Sequence, residues 1–152
     1  MDKLIMLIAT GLGLGYLPKA PGTWGSLLGI PIHLLLIQLA TKNYVIALVV
    51  IVVVGVLAAG SAEKIMDRRD PGLVVIDEVI GMLITLIGAP AKPLVLLMGF
   101  ILFRIFDIAK PYPIRLIDRH LNGGIGIVMD DMLAGVFALA VLQVICRLAG
   151  WC

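Results

Sequence analysis

The chain carries ten Asp and Glu side chains, and five of them sit beside apolar stretches: Asp77 and Glu78, Asp107, and Asp130 and Asp131. Adjacent carboxylates repel each other and raise one another's pKa unless a cation neutralises them. Oxygen donors in this number suit a hard cation, magnesium above all, which keeps several waters and takes few carboxylates. Asp77, Glu78, Asp107 and Asp131 are therefore the candidate metal ligands and catalytic carboxylates. Asp130 is a further ligand or a general base. A simpler account is that acidic residues favour helix N-termini through the macrodipole. That covers Asp77, Glu78, Asp130 and Asp131 singly, on the expectation that each pair opens a helix. It does not cover Asp107, which the pattern puts at a helix C-terminus, where the dipole opposes negative charge.

Basic residues flank the acidic ones. Arg104, Asp107 and Lys110 are three apart and share a helical face, and Arg115 follows Pro111-Tyr112-Pro113, which stops the helix. Arg grips phosphate oxygens bidentately and Lys binds them as a point charge. The alternative is an intrahelical Arg104–Asp107 ion pair, with Lys110 and Arg115 against lipid head groups. Lys19 and Thr23 join the candidate phosphate contacts, although Thr23, on the Pro-Gly-Thr turn, would equally cap the helix that follows. His33 lies inside an apolar segment and is expected to be hydrogen-bonded in the bundle. His120, beside Arg119, is a weak candidate. With only these two histidines, a histidine nucleophile is disfavoured. Cys146 and Cys152 have neither zinc-ligand spacing nor the Cys-x5-Arg of a cysteine phosphatase, and read as packing residues.

The elements that must position these groups are apolar. Of 152 residues, 61% are hydrophobic and 14% charged, with mean hydropathy +1.12, against roughly 25% charged in globular domains. The bulk of the chain must meet lipid. The net charge of +2 comes without a run of Lys or Arg, so no nucleic-acid partner is indicated. The length is that of a single domain over residues 1–152. Helices are expected over Ser26 to Ala40 and Asn43 to Ala62, joined as a hairpin by Thr41-Lys42-Asn43. Three shorter ones follow, Val79 to Ala89, Leu94 to Phe106 and Met132 to Leu148, the first two separated by the prolines Pro90 and Pro93. Leu4 to Tyr16 is too short to span and reads as an interfacial or re-entrant segment, retained rather than cleaved as a signal peptide. Its Gly11, Gly13 and Gly15 lack the strand-turn-helix context of a phosphate loop, and suit close helix contact. The expected fold is an all-α, polytopic membrane bundle with about four to five membrane-inserted helices.

Within it, Asp77, Gly81 and Thr85 fall on one face, as do Asp131 and Gly135, so a glycine one turn below each carboxylate lets another helix approach. Nine of the twelve Lys and Arg residues fall on one side of this arrangement, with Lys42, Lys92 and Arg147 on the other. The positive-inside rule puts the nine, and the carboxylate cluster with them, in the cytoplasm.

The motifs resemble the phosphatidylglycerophosphatase A family of bacterial membrane enzymes. The resemblance rests on Gly13 to Ser26 (GLGYLPKAPGTWGS), Asp77-Glu78-Val79-Ile80-Gly81-Met82, Phe103 to Arg115 (FRIFDIAKPYPIR), Asp118-Arg119, and Gly123 to Gly135 (GGIGIVMDDMLAG). It implies magnesium-dependent hydrolysis of the terminal phosphomonoester of a phospholipid, phosphatidylglycerophosphate, to phosphatidylglycerol and phosphate at the bacterial inner membrane. The Asp-Gly-x-x-Ala-Arg pattern of head-group transferases is absent. The other alternative is a non-catalytic membrane subunit, a transporter component or scaffold; a pore would want polar residues through mid-membrane, where this chain is apolar.

Overall fold

The structure, a computed structural model, describes residues 2–115 and 121–151. Along the chain these form α1 (Asp2–Ala9), a 3-10 turn (Leu14–Tyr16), α2 (Pro21–Leu36), α3 (Thr41–Met66), α4 (Ile76–Thr85), α5 (Pro93–Ala109) and α6 (Gly123–Leu148). No strand occurs among the described residues. The fold is all-helical, as expected. Two helices, α3 and α6, are long and apolar enough to cross a membrane, with mean hydropathies of 2.9 and 2.1 over their most apolar windows. Each has 26 residues, about 39 Å of helix. On α3, Val45, Val49, Val53 and Leu57 recur every fourth residue and are all exposed, which gives the helix an uninterrupted apolar outer stripe.

The centre of the bundle is α4, only ten residues long. Every residue from Val79 to Thr85 is buried, and a helix apolar on all sides must be wrapped by others. On one side Ile76, Ile80 and Leu83 pack with Leu48, Ala58 and Ala59 of α3. On the other, Met82 and Leu86 pack with Phe103 of α5 and with Ala134, Ala138 and Leu142 of α6. Glycines set the closest approaches. A Cβ on Gly81 would lie 2.7 Å from the Asp131 carbonyl oxygen, and one on Gly135 would lie 2.5 Å from the Gly81 carbonyl oxygen. These are the glycines placed one turn below the carboxylates.

A short helix that ends inside a bundle leaves carbonyls without partners in an apolar setting, and these must be met by side chains. Here three surrounding helices supply them. The Tyr44 hydroxyl of α3 donates to Leu83 O at 3.1 Å, the Gln143 amide of α6 donates to Ile87 O at 2.8 Å, and His33 Nε2 of α2 meets Ala89 O at 3.3 Å. His33 Nδ1 also contacts the Tyr44 hydroxyl at 3.1 Å. His33 is thus hydrogen-bonded within the bundle, as its position in an apolar segment predicts.

Several boundaries differ from expectation. α2 begins at Pro21 rather than Ser26, because proline suits the first turn, where its missing N–H costs nothing. α4 spans Ile76–Thr85 rather than Val79 to Ala89. The largest correction concerns α6, which begins at Gly123 and not near Met132. Asp130 and Asp131 therefore lie in its third turn and do not open it, so the macrodipole gives no account of them. The run Gly123-Gly124-Ile125-Gly126 reads as a helix breaker in sequence. In the bundle Gly124 lies on the backbone of α3, where a Cβ would come within 2.0 Å of Val56 O. Glycine there trades helix propensity for close helix contact.

Candidate active site

At one end of the bundle a cavity of about 470 Å³ opens among the first turn of α4, the last turn of α5 and the first three turns of α6. α4 carries Asp77 and Glu78 in its first turn, and α6 brings Asp131 against them, because Gly81 and Gly135 let the two backbones touch. Asp77, Glu78 and Asp131 each present an oxygen within 4.8 Å of the others. Asp77 Oδ1, Glu78 Oε2 and Asp131 Oδ2 are buried and have no hydrogen-bond partner among the described residues. Asp131 as a whole is 3% exposed. Buried carboxylate oxygens without donors are costly unless a cation meets them. The donor set therefore fits a hard divalent ion, and these three residues could hold one.

The electrostatics agree for the two carboxyls that lie outside both candidate spans. Burial raises Asp77 well above the usual carboxylate range, and the charges of Glu78 and Asp131 add to it. Burial likewise pushes Glu78 up to about 7, with the Asp107 charge adding and the Arg104 charge opposing.

The remaining predicted residues divide. Asp107 lines the cavity, and its Oδ2 accepts from Arg104 Nη1 at 2.6 Å. This is the intrahelical pair that the spacing offers as the alternative to a phosphate contact. Asp130 also lines the cavity, with its Oδ2 bound by Lys110 Nζ at 2.5 Å. Lys110 caps α5 in the left-handed conformation, φ 41°, so the chain turns there and carries the ammonium across to α6. It does not continue the Arg104 face, contrary to the sequence spacing. Lys19, Thr23, Arg104 and Arg115 do not line the cavity; Arg104 reaches its rim through the pair with Asp107. Lys19 and Arg115 are exposed. Thr23 sits in the first turn of α2 with its N–H on Ala20 O, and the helix has no side-chain cap. Asp118, Arg119, His120 and Cys152 lie outside the described residues. Cys146 is buried in the α5–α6 core, a packing residue as read.

The sequence reading passed over three features. Glu63 at the end of α3, with Arg69 and Asn122, completes the lining on the outer side. Glu63 is the first acidic residue after Asp2, and it follows directly on the uncharged span, which is a legible signal. Gly22 lies against the cluster, where a Cβ would come 2.1 Å from Glu78 Oε1 and 3.2 Å from Arg104 Nη1. Ser26, fully buried one turn on, accepts from Arg104 Nη1 at 3.4 Å. Both belong to the Pro21-Gly22-Thr23-Trp24-Gly25-Ser26 stretch.

The arrangement is a carboxylate cluster that could hold a cation, with Lys110 in its lining and Arg104 paired to Asp107, which is chemistry suited to a phosphate ester. Residues 7–146 match the family profile described as phosphatidylglycerophosphatase A. The chain is 41% identical over 140 residues to phosphatidylglycerophosphatase A of Escherichia coli (strain K12), covering 91% of this chain and 81% of that one. It is 39% identical over 140 residues to phosphatidylglycerophosphatase A of Haemophilus influenzae, covering 91% and 86%. A Bacteroides thetaiotaomicron protein with a provisional name as a phosphatidylinositol-3-phosphatase is 40% identical over 149 residues, covering 93% and 92%. No solved structure matches the chain. With a profile match over most of its length and relatives at this identity, the chain belongs to the phosphatidylglycerophosphatase A family of phosphatases.

Proposed function

We propose that the chain hydrolyses the terminal phosphomonoester of phosphatidylglycerophosphate, releasing phosphate and leaving phosphatidylglycerol in the bilayer, with Mg2+ as cofactor. One observation carries the reading: three buried carboxylate oxygens without partners converge in one cavity lined by Lys110, with Arg104 paired to Asp107 at its rim, in a chain whose relatives carry that activity in their names. Asp77, Glu78 and Asp131 hold the ion, with Asp107 at its edge. When bound, magnesium supplies positive charge to the phosphoryl oxygens and lowers the pKa of water. Arg104 and Lys110 orient and neutralise the phosphate, and Lys19, Thr23 and Arg115 contribute on its approach. Asp130 serves as the general base, its carboxylate held in position by Lys110.

In this reading the whole chain is one membrane-embedded domain of the bacterial inner membrane. The helices α2, α4 and α5 insert beside α3 and α6, with the first turn of α4, which carries Asp77 and Glu78, at the head-group level, and the cavity faces the cytoplasm. The nine-to-three split of basic residues supports that orientation. A substrate with acyl chains anchored in lipid brings its phosphate to the head-group level, where such a cavity can receive it.

The test is release of inorganic phosphate from phosphatidylglycerophosphate by detergent-purified protein, with magnesium and with chelator, wild type beside Asp131→Asn. Release that needs both magnesium and Asp131 is the expected outcome. Full activity in Asp131→Asn would remove that residue from the site. The Bacteroides relative favours a second head group, so a 3-phosphorylated inositol lipid belongs in the same assay. Faster release from it would reassign the substrate.

A further inference from the structure

The stretch Gly22-Thr23-Trp24-Gly25-Ser26 does more than start a helix. Gly22, Gly25 and Gly29 form a ramp along α2 that lies directly on α4. Added Cβ atoms would meet Glu78 Oε1 at 2.1 Å, the Val75 side chain at 2.8 Å and the Met82 side chain at 2.8 Å respectively. The ramp brings the first turns of α2 to the carboxylate cluster and leaves Ser26 facing α5. Ser26 is fully buried, and its hydroxyl donates to Gly22 O at 2.8 Å, the ordinary back-bond of a helical serine. Its lone pairs remain available, and Arg104 Nη1 donates to them at 3.4 Å. The same Nη1 donates to Asp107 at 2.6 Å. Nε and Nη2 of Arg104 make no hydrogen bond among the described residues.

We propose that Ser26 is a positioning residue, which together with Asp107 fixes the Arg104 guanidinium between α2 and α5 at the edge of the carboxylate cluster and leaves its Nη2 side for the phosphate. A guanidinium tethered only by Asp107, three residues on along its own helix, can swing about that contact. A second anchor on a different helix removes the freedom. Pre-set donors cost no reorganisation when charge develops on the phosphoryl oxygens. The inference rests on the phosphatase reading for the identity of the anion, and on the described contacts for the geometry.

The test is a double-mutant cycle of wild type, Ser26→Ala, Arg104→Lys and both together, with Ser26→Thr as the conservative rescue. A lysine has no second terminal nitrogen to leave for the phosphate once its ammonium is engaged by Asp107 or Ser26. Two quantities are read: turnover of phosphatidylglycerophosphate, and the dissociation constant for inorganic phosphate in the presence of magnesium. Loss of one modest hydrogen bond predicts a roughly 3- to 10-fold fall in turnover and a rise of the same size in the phosphate dissociation constant for Ser26→Ala, recovery in Ser26→Thr, and no further change in either when Ser26→Ala is added to Arg104→Lys. Equal losses in both backgrounds, or wild-type behaviour of Ser26→Ala, would overturn it. Ser26 would then be a back-bonded core residue without influence on Arg104. If wild type leaves phosphatidylglycerophosphate intact, the substrate reading fails alone, and the phosphate-binding cycle still decides the role of Ser26.

Discussion

Gly22→Ala is the most searching substitution that the geometry offers, because it adds one methyl group beside the cluster and changes no charge. Within α2 the change should help, since alanine exceeds glycine in helix propensity by roughly 1 kcal/mol. Outside α2 the new Cβ arrives 2.1 Å from Glu78 Oε1, 3.1 Å from Glu78 Cδ and 3.2 Å from Arg104 Nη1. Ordinary contact lies near 3.5 Å, so the Glu78 carboxylate must retreat by about 1 Å or more. It sits at the end of a flexible side chain and can do so without unfolding the bundle. A displacement of about 1 Å at a reacting centre costs on the order of 100-fold in rate, equivalent to about 2.7 kcal/mol. The assay is phosphate release across a magnesium titration, with thermal unfolding measured on the same preparations. Gly22→Ala should show a turnover about 100-fold lower and a weaker magnesium requirement curve, at near wild-type unfolding temperature. Gly13→Ala is the control: its Cβ meets nothing within 4 Å and its φ is +93°, so it strains a turn remote from the cluster. It should lose stability and keep its magnesium dependence. Wild-type turnover and magnesium dependence in Gly22→Ala would refute the placement of Glu78 at the reacting centre.

Two further expectations follow from the cluster and from the clamp at its far end. Because Glu78 is raised to about 7 and Asp77 well above its usual range, a divalent ion must displace protons at acidic pH, and its affinity should fall as pH falls from 8 to 6, by about tenfold per pH unit for each proton displaced. Mg2+ or Mn2+ titrations at pH 6, 7 and 8 measure this, and equal constants at pH 6 and 8 would contradict it. Tyr44→Phe removes the donor to Leu83 O at the end of α4 away from the cavity. It should lower stability by about 1–3 kcal/mol, read by thermal unfolding, with an unchanged magnesium curve. A changed magnesium curve would mean that the clamp and the site are coupled.

Much of this was legible in the chain. The carboxylates Asp77, Glu78 and Asp131 sit at charged edges of apolar runs, a costly position that draws notice. The hydropathy of α3 marks a span without help from tertiary context. What stayed hidden was governed by contacts between helices. The start of α6 reads as a breaker because three glycines lower local propensity, yet each has its own reason in the fold: Gly123 takes φ +72°, Gly124 lies on the α3 backbone and Gly126 on the Leu121 carbonyl. Asp130 and Asp131 were consequently expected at a helix opening rather than two turns inside. Ser26 escaped notice because an uncharged serine in an apolar helix has no periodic or charge signature, and its partner Arg104 is 78 residues away. Lys110 was grouped with Arg104 by spacing alone, whereas the left-handed cap at Lys110 redirects it to Asp130.

The stub-like α4 has a consequence for transport. Below Asp77 and Asp131 the bundle is closed by the fully buried Ile80, Leu83 and Phe103, and by backbone contact between Gly81 and α6. Among the described residues the cavity lining stops at the first turn of α4 and the third turn of α6. On the proposed reading, a phosphate freed in the cavity departs through the mouth by which the head group arrived. Hydrolysis in such a vessel returns its product to the compartment of origin and opens no leak for ions across the membrane. A catalyst set deep among apolar helices can thus work beside an ion gradient without dissipating it.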